Sequence, residues 1–313
     1  MRVKKYPIPI IFGPTASGKT GLAIALAKNI GGEVVSADSQ QIYSELFIGT
    51  ARPTEEEMQG VRHHLIGHVS VREKYNVARF IEELEHTLKE ITERDVTPII
   101  CGGSYMWIGS ILDGLSPTPP SDVATRKRLE EASKNEDLYD KLEQIDPESA
   151  RRIDKNDTRR IVRALEIFEL SGKTRTEIYS IKNILPYKFF PIGIMRDREK
   201  LYSRINTRVD EMLEEGLLDE IRNLVLAGLS DDIRRVKAHG YPPLLDWHEG
   251  KAGLEEAIET MKKVTRNYAK RQISFLKGRA DFVIMDNPTA DLIIEIYKKE
   301  VSKWTTKEQR DIR

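Results

Sequence analysis

The chain has 313 residues, 39% of them apolar, enough to bury the core of one large domain or two modest ones. No apolar run approaches the roughly 20 residues that a bilayer-spanning helix needs, and the single cysteine, Cys101, excludes an intrachain disulfide and a thiolate metal cluster. Lys plus Arg balances Asp plus Glu at 50 each, so the molecule as a whole offers no electrostatic case for a polyanionic partner. The basic start, Met1 to Lys5, precedes an apolar run too short for a secretory signal, which predicts a cytoplasmic protein.

Apolar runs and amphipathic segments alternate through the first third. Ile8 to Phe12 is strand-like, Lys19 to Asn29 helical, and Glu33 to Ala37 strand-like again, the rhythm of βαβ units feeding a parallel sheet. Phe80, Ile81, Leu84, Leu88 and Ile91 share one face of a helix predicted over Arg79 to Arg94, and Val96 to Cys101 follows as a buried strand. Three prolines between Ser116 and Ser121 break the pattern and mark a junction. From Asp122 to Gly172 the chain is helical and highly charged without a strand signal. Strand character returns at Phe189 to Met195, followed by long helices over Arg198 to Leu226 and Leu254 to Leu276 and a last strand at Phe282 to Met285. The expected architecture is an α/β core over residues 1–117 and 187–313, with a helical insertion over 118–186 standing over the crevice of a sheet of five or six strands.

Gly13-Pro14-Thr15-Ala16-Ser17-Gly18-Lys19-Thr20 has the phosphate-loop spacing and the required context, after a strand and at the start of a helix. Glycines let the backbone wrap a phosphate chain, N–H groups and the helix start supply positive potential, Lys19 adds a mobile charge, and the Thr20 hydroxyl can ligate Mg²⁺. The loop alone leaves open which phosphorylated molecule it holds, since kinases, ATPases and some transferases share it. Asp38, at the end of the next strand, should lie beside the loop, because strand carboxyl ends line the crevice of an open parallel sheet. It can cap a local turn, help hold a metal, or accept a proton from a nucleophile. Two basic runs stand out locally: Met261 to Arg279 has seven basic side chains and no acidic one, and Arg151 to Arg163 has six basic and two acidic. Each is either a phosphate contact or a solvated helix face.

The segments GPTASGKT, SADSQQIY, IGTARPT and HHLI, in that order and spacing, resemble the opening of the tRNA dimethylallyltransferase (isopentenyl-tRNA transferase) family. The likeness continues through Gly102 to Ser104, DPESARRIDKNDTRRIVRALEIFELSGKT, RVDEMLEEGLLDEI and YAKRQ, Tyr268 to Gln272. It implies a P-loop NTPase-like sheet flanked by helices, with an all-helical inserted domain that grips the tRNA anticodon stem-loop. It also implies transfer of a dimethylallyl group from dimethylallyl diphosphate to N6 of adenine-37, giving N6-(dimethylallyl)adenosine and diphosphate, with Mg²⁺ as cofactor, and a monomer is expected. By the same likeness Asp38 is the general base, Ser104 lies at the channel between the substrates, and Lys19 and Arg208 face the diphosphate. The tRNA-contacting positions are then Asp38, Ser39, Gln40, Gln41, Ser104, Arg126, Arg159, Arg160, Ile161, Val162 and Arg163. The amides of Gln40 and Gln41 can pair with adenine edges, and the target base must leave its stack to reach the pocket.

Three departures from the family pattern carry expectations. Gly102-Gly103-Ser104-Tyr105-Met106-Trp107 puts bulk where GGTGLY is common, predicting a narrower channel wall, with Trp107 near the isoprenoid. Gly240-Tyr241-Pro242-Pro243 replaces GYKE and loses two backbone donors. Ile273-Ser274-Phe275-Leu276 follows YAKRQ where Thr-Trp-Phe is usual. His63, His64 and His68 lack a cysteine or acidic ligand at suitable spacing, which favours a structural or substrate-side role over a metal site, and Cys101 is expected in the core.

Overall fold

The computed structural model describes residues 6–311, so the basic start from Met1 to Lys5 lies outside the described residues. Two compact units form, one from residues 1–112 and 186–313 and the other from 113–185. In the larger unit the chain runs β1 (Ile8–Phe12), α1 (Lys19–Ile30), β2 (Gly32–Ser36), α2 (Glu55–Met58), β3 (His63–His64), α3 (Val77–Glu93), β4 (Thr97–Gly102) and α4 (Tyr105–Asp113). The second unit supplies α5 (Val123–Ala132), α6 (Leu138–Ile145), α7 (Pro147–Arg152), α8 (Thr158–Ser171) and α9 (Arg175–Ser180). The chain then returns through β5 (Phe189–Met195), α10 (Arg198–Glu214), α11 (Leu217–Leu226), α12 (Ser230–Val236), α13 (Tyr241–His248), α14 (Leu254–Lys277), β6 (Val283–Asp286) and α15 (Ala290–Asp311).

The strands form one six-stranded sheet of order β3-β2-β4-β1-β5-β6, with every pairing parallel. This is the P-loop NTPase-like arrangement. All five residues of β1 are buried, as expected for a central strand covered by helices on both faces. α1 packs Leu22, Ala23, Leu26 and Ala27 on one side of the sheet, where Ile293 and Tyr297 of α15 join them. The amphipathic α3 buries Phe80, Leu84, Leu88 and Ile91 completely, and Asn76 caps it by accepting from the N–H groups of Ala78 and Arg79.

Three local expectations change. The helix predicted over Arg198 to Leu226 is two helices, because Gly216 adopts φ +100° and turns the chain between α10 and α11. The two-residue β3 and the long α15 carry weak sequence signals and went unpredicted. The second unit begins at residue 113, at the end of α4, where the expected start was residue 118. There Gly114 takes φ +78° and Leu115 pairs antiparallel with Asn183.

Glu33 staples β2 to its surroundings. Its carboxylate accepts from both Arg94 nitrogens at 2.6 Å and meets His64 Nε2 at 2.7 Å. The Arg94 hydrogen bonds lead in holding its pKa down, from 4.5 to about 2, against the opposing effect of partial burial. A depressed carboxylate adds stability that is complete above the unfolded-state value and is lost as pH falls through the folded one. Stability of the wild type should therefore fall as pH drops from 4.5 toward 2, and Glu33→Gln should be less stable at neutral pH and lose less on acidification. Urea unfolding across that window measures this, and an identical acid dependence in both proteins would contradict it.

Candidate active site

The phosphate loop bridges β1 and α1. Ala16 and Gly18 have φ values of +61° and +87°, the left-handed conformations that curl the backbone. A Cβ on Gly13 would lie 2.8 Å from the Ser17 hydroxyl and 3.1 Å from the Ile194 carbonyl, so glycine alone fits. No side chain caps the start of α1, which leaves first-turn N–H groups for an anion. Two loop carbonyls are held by arginines: Arg204 donates to Ala16 at 2.9 Å and Arg196 to Ser17 at 2.6 Å. Ser17 is fully buried, and its hydroxyl has no hydrogen-bond partner among the described residues. Burial lowers the pKa of Lys19, and the Asp38 carboxylate draws it back up.

Two cavities meet at Ala51, Arg208 and Met212. The larger, about 1120 Å³, carries Lys19 and Thr20 together with Arg52, Arg204 and Arg208, basic groups suited to a diphosphate, and also the carboxylates of Glu57, Glu211 and Glu215. The smaller, about 620 Å³, contains Thr15 and Asp38 and has an apolar wall of Ile205, Val209, Met212 and Met261. Arg208 therefore touches both compartments, and burial lowers its pKa first of all. Asp38 is half-buried, and one of its oxygens accepts from the Gln40 N–H at 3.0 Å. The carboxylate caps its own turn while lining the cavity, so the two sequence readings of this residue coexist.

The expected channel residue Ser104 is 5% exposed and committed to its neighbour: its hydroxyl accepts from the Ser39 N–H at 2.7 Å and donates to the Ser39 hydroxyl at 2.9 Å. It fixes the loop that carries Asp38. Gln41 is likewise a brace, its amide donating to the carbonyls of Thr50 and Ala51 at 3.2 and 2.8 Å. The Gln40 amide oxygen accepts from the His239 N–H at 3.2 Å. In the same segment, the Glu220 carboxylate accepts from the N–H groups of Phe47, Ile48 and Gly49, and Tyr241 donates to it at 2.5 Å.

Within the second unit the expected tRNA positions divide. Arg159 and Arg160 are exposed at the start of α8. Ile161 and Val162 are 3% and 2% exposed, and their side chains belong to that unit's apolar core, which leaves only their backbone for any contact with a polyanion. Arg126 and Arg163 both donate at 2.7 Å to the fully buried Glu166, which also accepts from Ser121 and the Asp122 N–H. Their first duty is to neutralise that carboxylate.

The departures from the family pattern have structural outcomes. Trp107 stacks on Phe80 at 4.0 Å, and neither it nor Tyr105 or Met106 lines the smaller cavity, so the expected narrowing does not arise there. Pro242 and Pro243 stand in the first turn of α13, where their missing N–H groups have no intrahelical acceptor to satisfy. Phe275 packs edge-on against Phe12, and Leu276 fills the space over Gly193. His64 pairs with Glu33 and His68 with Glu83 at 2.9 Å. Cys101 is buried, and burial pushes its thiol up to about 12.

Sequence reasoning assigned no role to three residues that the fold brings into the smaller cavity: His239, Tyr268 and Gln272. The His239 and Tyr268 rings lie 4.4 Å apart. Burial lowers the His239 pKa, helped by Arg271 and opposed by Asp38, while burial and then Asp38 raise that of Tyr268. Gln272 bridges Thr15 and Gly103. The four-residue spacing within YAKRQ puts Tyr268 and Gln272 on one helix face, the one signal that could have joined them. The rest of the basic run on α14 is partly consumed by pairing, with Lys262 on Asp210 at 2.8 Å and Arg266 on Asn206 at 2.6 Å.

The IPP transferase family model matches residues 41–279. The chain is 40% identical over 301 residues to the tRNA dimethylallyltransferase of Bacillus cereus (strain 03BB102), covering 95% of each. Among solved structures it is similar to the full-length tRNA isopentenylpyrophosphate transferase of Bacillus halodurans, with a TM-score of 0.72 and 36% identity over 97% of this chain and 99% of that one. It is also similar to a eukaryotic dimethylallyltransferase acting on tRNA, with a TM-score of 0.73 and 29% identity over 91% and 75% of the two chains.

Proposed function

The chain belongs to the IPP transferase family, and from that premise we propose that its crevice moves the dimethylallyl group of dimethylallyl diphosphate to N6 of adenine-37 in tRNA, beside the anticodon, releasing diphosphate. The observation that carries this reading is the joining of two unlike compartments at Arg208. One offers cationic and phosphate-loop groups to a diphosphate. The other offers an apolar wall to a five-carbon chain and a carboxylate to an amine.

In this reading Lys19, Arg208 and the first-turn N–H groups of α1, which no side chain caps, hold the diphosphate and neutralise the charge that grows on it as the carbon–oxygen bond breaks. Ile205, Val209, Met212 and Met261 enclose the allyl group and keep water from it. The adenine amine is a poor nucleophile, since its lone pair is delocalised into the ring, and Asp38 takes its proton as the carbon–nitrogen bond forms. Ser104 and Ser39 hold the base in place. The donor set beside Lys19 fits Mg²⁺: the Thr20 hydroxyl and the Glu57 carboxylate line the same cavity and are the hard oxygen donors this ion prefers. Thr20 would hold the ion, which when bound supplies further charge neutralisation at the diphosphate oxygens. In the second unit, the exposed Arg159 and Arg160 are the first candidates for tRNA phosphate contact. No helix among the described residues is long and apolar enough to cross a membrane.

The test combines purified protein, Mg²⁺, dimethylallyl diphosphate and unmodified tRNA with adenines at positions 36 and 37, without ATP. Nucleoside mass spectrometry should show one added dimethylallyl group on adenosine. Absence of that product, with ATP consumed in a parallel reaction, would turn the reading toward a P-loop kinase or ATPase.

A further inference from the structure

α14 supplies one side chain whose polar atoms are spent between two loops of the crevice. Gln272 is 1% exposed; its amide oxygen accepts from the Thr15 N–H at 2.9 Å, and its amide nitrogen donates to the Gly103 carbonyl at 2.7 Å. Tyr268, one helical turn earlier, donates to the same carbonyl at 3.2 Å. Ser104 follows Gly103 and is itself bonded to the backbone and hydroxyl of Ser39, the residue after Asp38. A continuous set of hydrogen bonds thus runs from the phosphate loop to the loop that carries the base. There is little slack in it: a Cβ on Gly103 would lie 2.4 Å from the Gln272 amide nitrogen, and one on Gly102 would lie 2.1 Å from the Ala37 carbonyl oxygen.

We infer that Gln272 is a positioning residue that sets the separation between the diphosphate cradle and Asp38, and so directs the dimethylallyl carbon to the adenine amine instead of to water. The inference rests on the transferase reading above. In the productive reaction the carbon–oxygen bond to diphosphate breaks with the electron pair leaving on diphosphate, a carbon–nitrogen bond forms to N6, and the amine proton passes to Asp38. When the cradle and the base lose their fixed spacing, the same carbon can bond to the oxygen of a water molecule. The proton of that water passes to solvent, and dimethylallyl alcohol and diphosphate result. Reacting atoms must meet at roughly 3 to 3.5 Å, and a displacement of about 1 Å costs about 100-fold in rate.

Gln272→Met keeps the length and bulk of the side chain and removes both hydrogen bonds. It should lower kcat for tRNA prenylation about 100-fold while the KM for dimethylallyl diphosphate and the Kd for tRNA stay close to wild type. The fraction of diphosphate ester consumed as dimethylallyl alcohol should rise. Gln272→Asn keeps the amide but is one methylene too short to reach both partners; it carries the same expectation and serves as the test if the Met variant does not fold. Wild-type protein that prenylates no tRNA defeats the transferase reading itself. An active wild type beside variants with unchanged kcat, or with kcat, KM and tRNA binding all impaired together and no added alcohol, overturns the positioning role alone.

Discussion

Asp38→Asn is expected to lower the rate of tRNA prenylation by about 10²- to 10⁴-fold, the range that a positioned general base contributes, while leaving tRNA binding nearly intact. Asparagine is the informative replacement because Asp38 has two roles. One of its oxygens accepts from the Gln40 N–H and closes the local turn, and an amide oxygen can do the same, so the loop keeps its shape while the proton acceptor is lost. Asp38→Ala removes both and should match the Asn variant in chemistry while loosening the Ser39–Ser104 contact. Single-turnover rates at saturating substrates, with tRNA affinity measured separately, make the comparison. Equal losses of rate and of tRNA affinity in Asp38→Asn would sink the general-base assignment.

Lys19→Ala should slow transfer by about 10²- to 10³-fold, the usual cost of removing one group aimed at developing negative charge, and should also raise the KM for dimethylallyl diphosphate. Lys19 is the first residue of α1, and no acidic residue stands in the first turn of that helix to offset its positive charge. Arg208 remains, so some diphosphate binding should persist. The pH dependence has a sign. Burial lowers the Lys19 pKa from the ordinary 10.5, with Asp38 opposing, so the alkaline loss of activity in the wild type should begin below that ordinary value as the ammonium gives up its proton. Kinetics unchanged in Lys19→Ala would remove the residue from the mechanism.

Much of the site was legible in consecutive residues. The phosphate loop announces itself by its glycines and by the strand and helix that flank it, and strand β1 and strand β5 end where their apolar runs end. Asp38 was placed beside the loop from one rule, that the carboxyl ends of parallel strands line the crevice. Side chains assigned to a ligand by motif alone also have partners within the fold that the motif did not announce. Ser104 and Gln41 hold loops, Arg126 and Arg163 serve a buried glutamate, and Ile161 and Val162 complete an apolar core. The α8 pattern carried that last fact, since Ile161, Val162 and Leu165 recur at helical spacing, the mark of a core-facing stripe.

By itself the sequence determined the elements whose causes are local: a curled glycine loop, capped amphipathic helices, buried parallel strands and the succession of motifs that marks the family. The tertiary structure decided which distant groups share a wall. Gln272 reaches Thr15 across 257 positions of the chain, Tyr268 reaches Gly103 across 165, and Glu220 caps Ile48 across 172. The reason is physical: backbone conformation follows from neighbours in the chain, whereas a hydrogen bond between remote loops exists only once hydrophobic packing has chosen which helix lies beside them and which of its faces turns inward.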